Sequence, residues 1–382
     1  MLLPKTPLEL AGVLQEAAGR GHSITLWGNS TKQRMGGPVE AGEISISTAA
    51  LNHVLEYEPR DLTISVEAGL RWNQLTHLLA SNRQMIPLDP PFAENATVGG
   101  VIASNSSGPR RRLYGSARDL VIGMKFATLE GKVVQSGGMV VKNVAGLDIA
   151  KLLIGSFGTL AAVAVVNFKL IPAPDEERSF LLAFDSLAAA IAARDRILYG
   201  PLQPSAIDLL NPAAAKAVGS RSWTLAIRAG GNSAAVDRYE RELANVSTGV
   251  ALDSDRQETL WRYIQNLTPR HLEQYADGAV VRASCKLKGV GEVLASFPGP
   301  ALARAGSGVC YGYFEGCDAA DAWIAGAVAK GWRAVIEFAP QSRKTSLELW
   351  PAPGRDLEIM KQIKKLFDPS NLLNRGRLYR LI

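Results

Sequence analysis

Residues 90–108 read Pro90-Pro91-Phe92-Ala93-Glu94-Asn95-Ala96-Thr97-Val98-Gly99-Gly100-Val101-Ile102-Ala103-Ser104-Asn105-Ser106-Ser107-Gly108. Two adjacent glycines after a threonine let the backbone approach a ligand closely, and their N–H groups can hold phosphate oxygens. Thr97 is placed to cap a short helix opening at Val98, which aims a helix N-terminus at the same anion. Taken alone, the stretch reads equally well as a glycine-rich surface loop. Its neighbours decide.

Upstream, Trp27-Gly28-Asn29-Ser30-Thr31-Lys32 follows the apolar run Ile24 to Trp27, so a second small-residue turn sits at a strand end. Two such loops, far apart in sequence, suit an extended diphosphate-bearing ligand better than a mononucleotide. No G-x-G-x-x-G opens a βαβ unit and no G-x-x-x-x-G-K-S/T occurs, so neither a Rossmann dinucleotide site nor a P-loop is supported.

Leu62, Ile64 and Val66 alternate with Thr63, Ser65 and Glu67, which predicts a half-buried strand ending at Ala68-Gly69. Trp72, Leu75, Leu78 and Leu79 then recur at helical spacing. Leu120, Ile122, Met124 and Phe126 alternate again, and Glu130-Gly131 turns the chain into Lys132-Val133-Val134, a β-hairpin pattern. Ile171-Pro172-Ala173-Pro174 breaks this regime. Residues 175–245 carry Ala-rich helical stretches such as Leu187 to Ile197, punctuated by Pro201, Pro204 and Pro212; residues 246–340 mix helix and strand. Near the C-terminus an amphipathic helix is expected, with Ile359, Ile363, Leu366 and Phe367 on one side and Lys361, Lys364 and Lys365 toward water, ending at Asp368-Pro369. No internal repeat is visible.

The composition agrees with a folded chain of two or three domains: 382 residues, 47% hydrophobic and 20% charged, which excludes a disordered one. A net charge of +6 fits an anionic small ligand or partner surface and is too weak and scattered to argue for nucleic-acid binding. Three cysteines (Cys285, Cys310, Cys317) cannot supply the four thiolates of an iron–sulfur cluster, nor a disulfide framework, so a cytoplasmic location is expected. Lys5 and Glu9 interrupt what would be a signal-peptide core, and Gly155 and Gly158 interrupt the apolar stretch Leu152 to Val166, too short for a bilayer. A soluble chain without a membrane span is expected.

A third glycine block, Lys142-Asn143-Val144-Ala145-Gly146-Leu147-Asp148, leads into Gly155-Ser156-Phe157-Gly158-Thr159-Leu160. In order and spacing, residues 28–32, Thr97-Val98-Gly99-Gly100, Lys142 to Gly146 and Gly155 to Leu160 resemble the successive FAD-binding loops of the PCMH or vanillyl-alcohol-oxidase flavoproteins. Phe367-Asp368-Pro369-Ser370-Asn371-Leu372-Leu373-Asn374-Arg375-Gly376-Arg377-Leu378 is similar to the closing motif of the same FAD-linked oxidases. Within the superfamily the chain most resembles the FAD-binding E subunits of bacterial glycolate oxidases. It departs where the family often has an aromatic (Leu147) and a Gly (Ala161).

The resemblance implies an α+β fold: a two-subdomain PCMH-type FAD-binding domain over residues 1–173, a reduced cap or substrate domain over 174–344, and a C-terminal segment over 345–382 that packs back on the FAD domain. It implies that Gly28, Asn29, Ser30, Thr31 and Lys32 hold the FAD diphosphate from one side. Thr97, Gly99, Gly100, Ser104, Asn105 and Gly108 would line the diphosphate, ribityl and flavin region from the other, with Gly158 and Val163 near the adenosine. The first loop has no His, so the FAD is expected to be noncovalent.

The activity implied is that of an FAD-binding subunit oxidising glycolate, and also D-lactate, to the 2-oxo acid. Its partners would be a larger FAD-containing subunit and an iron–sulfur subunit, through which the chain could sit peripherally at the inner membrane. A non-catalytic FAD-containing scaffold and a self-sufficient oxidase of another alcohol or sugar are the alternatives. Four histidines (His22, His53, His77, His271) give no metal-ligand spacing, so no metal is expected and no catalytic base is assigned. His271 reads as a surface or capping residue beside Pro269-Arg270, and Arg110-Arg111-Arg112 as a solvated loop. Cys310 and Cys317 read as buried structural thiols around a strand, and Arg282 or Arg343 as candidates for a carboxylate clamp.

Overall fold

The computed structural model describes residues 1–38, 42–140, 147–247 and 249–382. They divide into two compact units. One comprises Met1–Ser107, Gly115–Ala173 and Ala352–Ile382; the other comprises Gly108–Tyr114 and Pro174–Pro351.

In the first unit, strands β1 (Ile24–Trp27) and β2 (Ile44–Ser47) pair in parallel, with Ile24 opposite Ile44 and Trp27 opposite Ser47. Single bridges extend this pair on both edges, Leu2 beside Ile46 and Leu373 beside Ile24. The remaining strands are β3 (Val54–Glu58), β4 (Thr63–Glu67), β5 (Gln84–Met85), β6 (Val121–Ala127), β7 (Val133–Gly137), β8 (Ala162–Lys169) and β9 (Ile171–Pro172). Five of them form an antiparallel sheet in the order β3-β4-β8-β6-β7, while β5 pairs with β9. The expected hairpin is β6–β7, and Gly131 takes a positive φ (80°) in its turn, where only glycine is unstrained.

Central β8 is buried along nearly its whole length. Ala162 and Ala164 join a cluster with Leu10, Leu14, Ile24, Ile46 and Leu373, whereas Val163, Val166 and Phe168 join another with Trp72, Leu75, Val98, Val101 and Phe126. A strand covered on both faces favours apolar side chains on both, and Ala162 to Val166 carry no polar one.

The C-terminal helix Arg355–Phe367 is turned differently from the sequence expectation. Ile359 and Leu366 face solvent (59% and 82% exposed), whereas Lys364 is buried. Its ammonium donates to Asp368 (2.6 Å) and to the carbonyls of Thr159 (2.7 Å) and Leu373 (3.1 Å). Burial pulls the Lys364 pKa down against the opposing pull of Asp368. Asp368 in turn accepts the N–H groups of Leu372 and Leu373. A buried charge loses little if paired and much if its partner goes. Lys364→Met should therefore cost about 3–5 kcal/mol of stability, read as a lower urea midpoint, because it leaves the Asp368 carboxylate buried and unneutralised.

The second unit is built on one antiparallel sheet of β10 (Glu176–Phe184), β11 (Ala206–Leu210), β12 (Trp223–Gly231), β13 (Gly249–Ala251), β14 (Ala279–Ser284), β15 (Ala301–Arg304), β16 (Val309–Phe314) and β17 (Arg333–Phe338), ordered β13-β10-β12-β11-β15-β16-β14-β17. Helices Leu187–Leu198 and Ser233–Ala244 punctuate β10 to β13, and helices Val290–Ala295 and Cys317–Ala329 punctuate β14 to β17. Each half is thus a β-α-β-β-α-β unit, and the two join edge to edge through β11 and β15. The topology repeats where no repeat is visible in the sequence. Core positions such as Ile207, Leu225, Val281 and Ala303 need only apolar volume, so two halves can share a path without sharing residues.

Candidate functional site

Three loops of the first unit converge at the ends of β1 and β8. The loop after β1 is fixed from beneath: Ser47 Oγ donates to the Gly28 carbonyl (2.8 Å) and Thr48 N to that of Trp27 (2.9 Å). Asn29 Nδ2 donates to the Asn95 carbonyl (2.8 Å), tying this loop to the second one, and Arg71 Nη1 donates to Asn95 Oδ1 (3.0 Å). Asn95 was not singled out in the sequence, and only its place beside the Thr97-Val98-Gly99-Gly100 block hinted at it.

Thr97 is the N-cap of the helix Val98–Ala103, its hydroxyl accepting from Gly100 N (3.2 Å), as the sequence suggested. Ser104 Oγ donates to the Gly100 carbonyl (2.6 Å) and lies 2.8 Å from Ser106 Oγ. The third loop hangs from the end of this helix through Gly155 N to the Ile102 carbonyl (3.1 Å) and Phe157 N to that of Ala103 (2.8 Å).

The glycines differ in what holds them small. A Cβ on Gly28 would overlap the Thr97 side chain, and one on Gly99 would press on Ala68 Cβ at 2.9 Å, so both are demanded by protein packing. Among the described residues, a Cβ on Gly100 would meet only Thr97 Oγ1, at 3.2 Å. No other described residue requires glycine there, which leaves that face of the helix start open to a ligand. Ser30 (φ 57°), Asn105 (47°) and Phe157 (55°) adopt left-handed backbone in the same three loops. Such strain collects where surroundings over-determine a ligand site. Close-packed loops, an open glycine and exposed Asn29, Ser30 and Asn105 fit a long diphosphate-bearing cofactor such as FAD.

Gly28, Asn29, Ser30, Thr31, Lys32, Thr97, Gly99, Gly100, Ser104, Asn105 and Gly158 are thus all on these loops. Gly158 is at positive φ (72°), and a Cβ there would strike Asn374 Nδ2. Val163 is different: its side chain is in the β8 core, away from the surface. Gly108 falls with the second unit. Lys142 to Gly146 lie outside the described residues.

In the second unit several groups weighed for chemistry are engaged. Arg282 Nε donates to Glu337 (3.0 Å), and Arg343 pairs with Asp277 and Asp318. His271 is buried instead of at the surface, with Nε2 2.7 Å from the Phe314 carbonyl and its ring against Tyr275 and Tyr313; the helix Leu267–Gln274 packs onto β16 here instead of standing clear of it. Arg112 is no solvated residue either, since it donates to Gln203 and to the Pro204 carbonyl. Burial pushes the Tyr311 hydroxyl up to about 12, so it stays protonated near neutrality. Cys310 and Cys317 are buried thiols in no disulfide, and Cys317 Sγ donates to the Asp277 carbonyl (3.1 Å). Among the described residues no group of three or more His, Cys, Asp or Glu is placed to hold a metal, and no helix is long and apolar enough to cross a membrane.

Residues 1–137 match the family described as FAD binding domain, and residues 351–378 match FAD linked oxidases, C-terminal domain. Among curated proteins, the chain is 35% identical over 152 residues to glycolate oxidase subunit GlcE of Escherichia coli K12, covering 40% of this chain and 43% of that one. It is 28% identical over 211 residues to glycolate oxidase subunit GlcD of Bacillus subtilis (55% and 45%), and 31% identical over 177 residues to D-lactate dehydrogenase of Anaerostipes hadrus (46% and 37%). The matched part spans less than half the length of these relatives. Among solved structures, p-cresol methylhydroxylase with substrate bound superposes with TM-score 0.74 at 14% identity, covering 100% of this chain and 88% of that one. The 4-ethylphenol oxidase of Gulosibacter chungangensis does so with TM-score 0.75 at 14% identity (98% and 88%). The architecture is therefore the mixed α and β fold of PCMH-type flavoproteins, as expected, and the cofactor is FAD.

Proposed function

We propose that this chain is the FAD-binding E-type subunit of a glycolate-oxidising complex, working with a larger FAD-containing subunit and an iron–sulfur subunit on a small 2-hydroxy acid, glycolate or D-lactate. The observation that carries the FAD site is the open face of Gly100 among three interlocked loops. The similarity to a glycolate oxidase subunit over 152 residues supports the substrate class.

In this reading residues 28–32 hold the diphosphate from one side. Thr97, Gly99, Gly100, Ser104 and Asn105 hold the diphosphate and ribityl region from the other, and Gly158, with the backbone of Val163, lies toward the adenosine. When bound, FAD supplies a two-electron acceptor for oxidation of the hydroxyl-bearing carbon. The residues of this chain bind and orient it. With no histidine in the first loop the bond is noncovalent, so acid or heat should release intact FAD into the supernatant. Flavin that stays with the precipitated polypeptide contradicts the reading.

One observation favours a scaffold role as the second reading. Arg282 and Arg343 are bound to carboxylates, and His271 is held to a backbone carbonyl, so the candidate groups of the second unit are already engaged. Anaerobic addition of glycolate to the isolated holoprotein separates the two readings, since only a catalytic chain bleaches its own flavin.

A further inference from the structure

The third loop and the first are joined through the C-terminal segment. Asn374 Oδ1 accepts from Leu26 N (2.8 Å), while its Nδ2 donates to the carbonyls of Leu26 (3.0 Å) and Phe157 (2.7 Å). One amide thereby grips the end of β1 on both of its polar groups and the 155–160 loop at its tip. Three residues on, Arg377 Nη2 donates to the Lys32 carbonyl (2.7 Å) and Nη1 reaches that of Gln33 (3.5 Å), while the guanidinium lies 5.6 Å from the Phe157 ring centroid. Gly37 N closes the same circuit by donating to the Arg377 carbonyl (2.9 Å).

The backbone of this segment is held in costly shapes. Asn371, Asn374, Tyr379 and Arg380 all have positive φ (49°, 43°, 52° and 57°). Four left-handed residues other than glycine in so short a run persist only where the surroundings impose them. Asn374 combines one of these left-handed conformations with the bonds to β1 and the 155–160 loop, and Gly158 is kept free of a side chain by Asn374 itself.

We propose that Asn374 and Arg377 are positioning residues of the flavin site. In this role they set the distance between the loop after β1 and the 155–160 loop, so that the C-terminal segment sets the width of a site it does not line. The role rests on the cradle reading given under Proposed function.

The experiment titrates FAD into the apo form of the full chain, following quenching of flavin fluorescence, and records the thermal midpoint of the same apoprotein. Asn374→Ala and Arg377→Ala should each raise the FAD Kd by about tenfold, the worth of a well-placed hydrogen bond. Arg377→Lys, which keeps one donor near the Lys32 carbonyl, should fall between and guards against a failure of Asn374→Ala to fold. Leu14→Ala is the control for plain destabilisation, because Leu14 is wholly buried in the core on the helix Pro7–Gly19, outside the three loops and the C-terminal segment. It should lower the apo midpoint while changing Kd by no more than about twofold, since a loss shared by free and bound forms leaves binding untouched. Native Kd in both Asn374→Ala and Arg377→Ala overturns the positioning role. So does a Kd rise in Leu14→Ala equal to theirs. If Gly100→Val also keeps its FAD, the cradle itself is rejected; if Gly100→Val loses FAD while the two C-terminal variants bind normally, only the positioning role falls.

Discussion

Gly100→Val is expected to purify with less than about a tenth of the flavin of the native chain, as judged by absorbance near the flavin maximum relative to protein. The size of the effect follows from where the two branches of valine must go. The described residues offer one near neighbour, Thr97 Oγ1 at 3.2 Å, so the branches would occupy the volume proposed for the cofactor. Gly100 has ordinary helical backbone within Val98–Ala103, and valine is at least as good a helix former as glycine. The apoprotein should therefore keep its thermal midpoint. Gly99→Val is the contrasting variant: it would press on Ala68 and lower that midpoint whether or not flavin is present. A yellow Gly100→Val protein with full occupancy would show that the cradle lies elsewhere.

On the proposed subunit role, the isolated chain is expected to turn over glycolate at less than about a thousandth of the rate of the proposed complex, because an oriented base is worth two to four orders of magnitude. Arginines of the second unit such as Arg282 with Glu337, Arg304 with Asp208 and Arg343 with Asp277 and Asp318 are not poised to take a substrate carboxylate without first giving those partners up. Tyr311, whose burial holds its proton to about pH 12, can donate a hydrogen bond but is a poor acceptor of a proton near neutrality. Dye reduction with glycolate, measured for the chain alone and after adding the other subunits, gives the ratio directly. Full activity from the chain alone would return the self-sufficient oxidase to first place.

Local signals carried much of the fold. Alternation over 62–67 and 120–126 marked β4 and β6 to within a residue, but β4 is covered on both faces instead of half-buried: Ser65 is held by Asn167 and Glu67 by His53, partners that leave no local trace. Thr97 could be read as a cap since its hydroxyl acts only three residues ahead. What could not be read depends on distant partners. Lys364 looks like a surface lysine until Asp368 and two carbonyls receive it, and Leu366 looks like a core residue until the helix turns it outward. His271 likewise gives no sign of the strand that buries it. Asn374 stood in a motif that was recognised, yet the bond that explains it spans 348 residues and has no local trace.

That span bears on how the chain is made. A ribosome releases β1 early, but the neighbour that completes its edge, Leu373, and the amide that fastens its end, Asn374, come much later, Asn374 standing 348 residues after Leu26. Except for Gly108–Tyr114, the second unit is encoded without interruption between Pro174 and Pro351, and all of it has emerged by residue 351. Domains fold as units during synthesis when their residues are out. Vectorial synthesis therefore makes the internal unit whole while the first still has an open edge, and a nascent chain stalled before Leu373 would lack the contacts proposed to space the flavin loops.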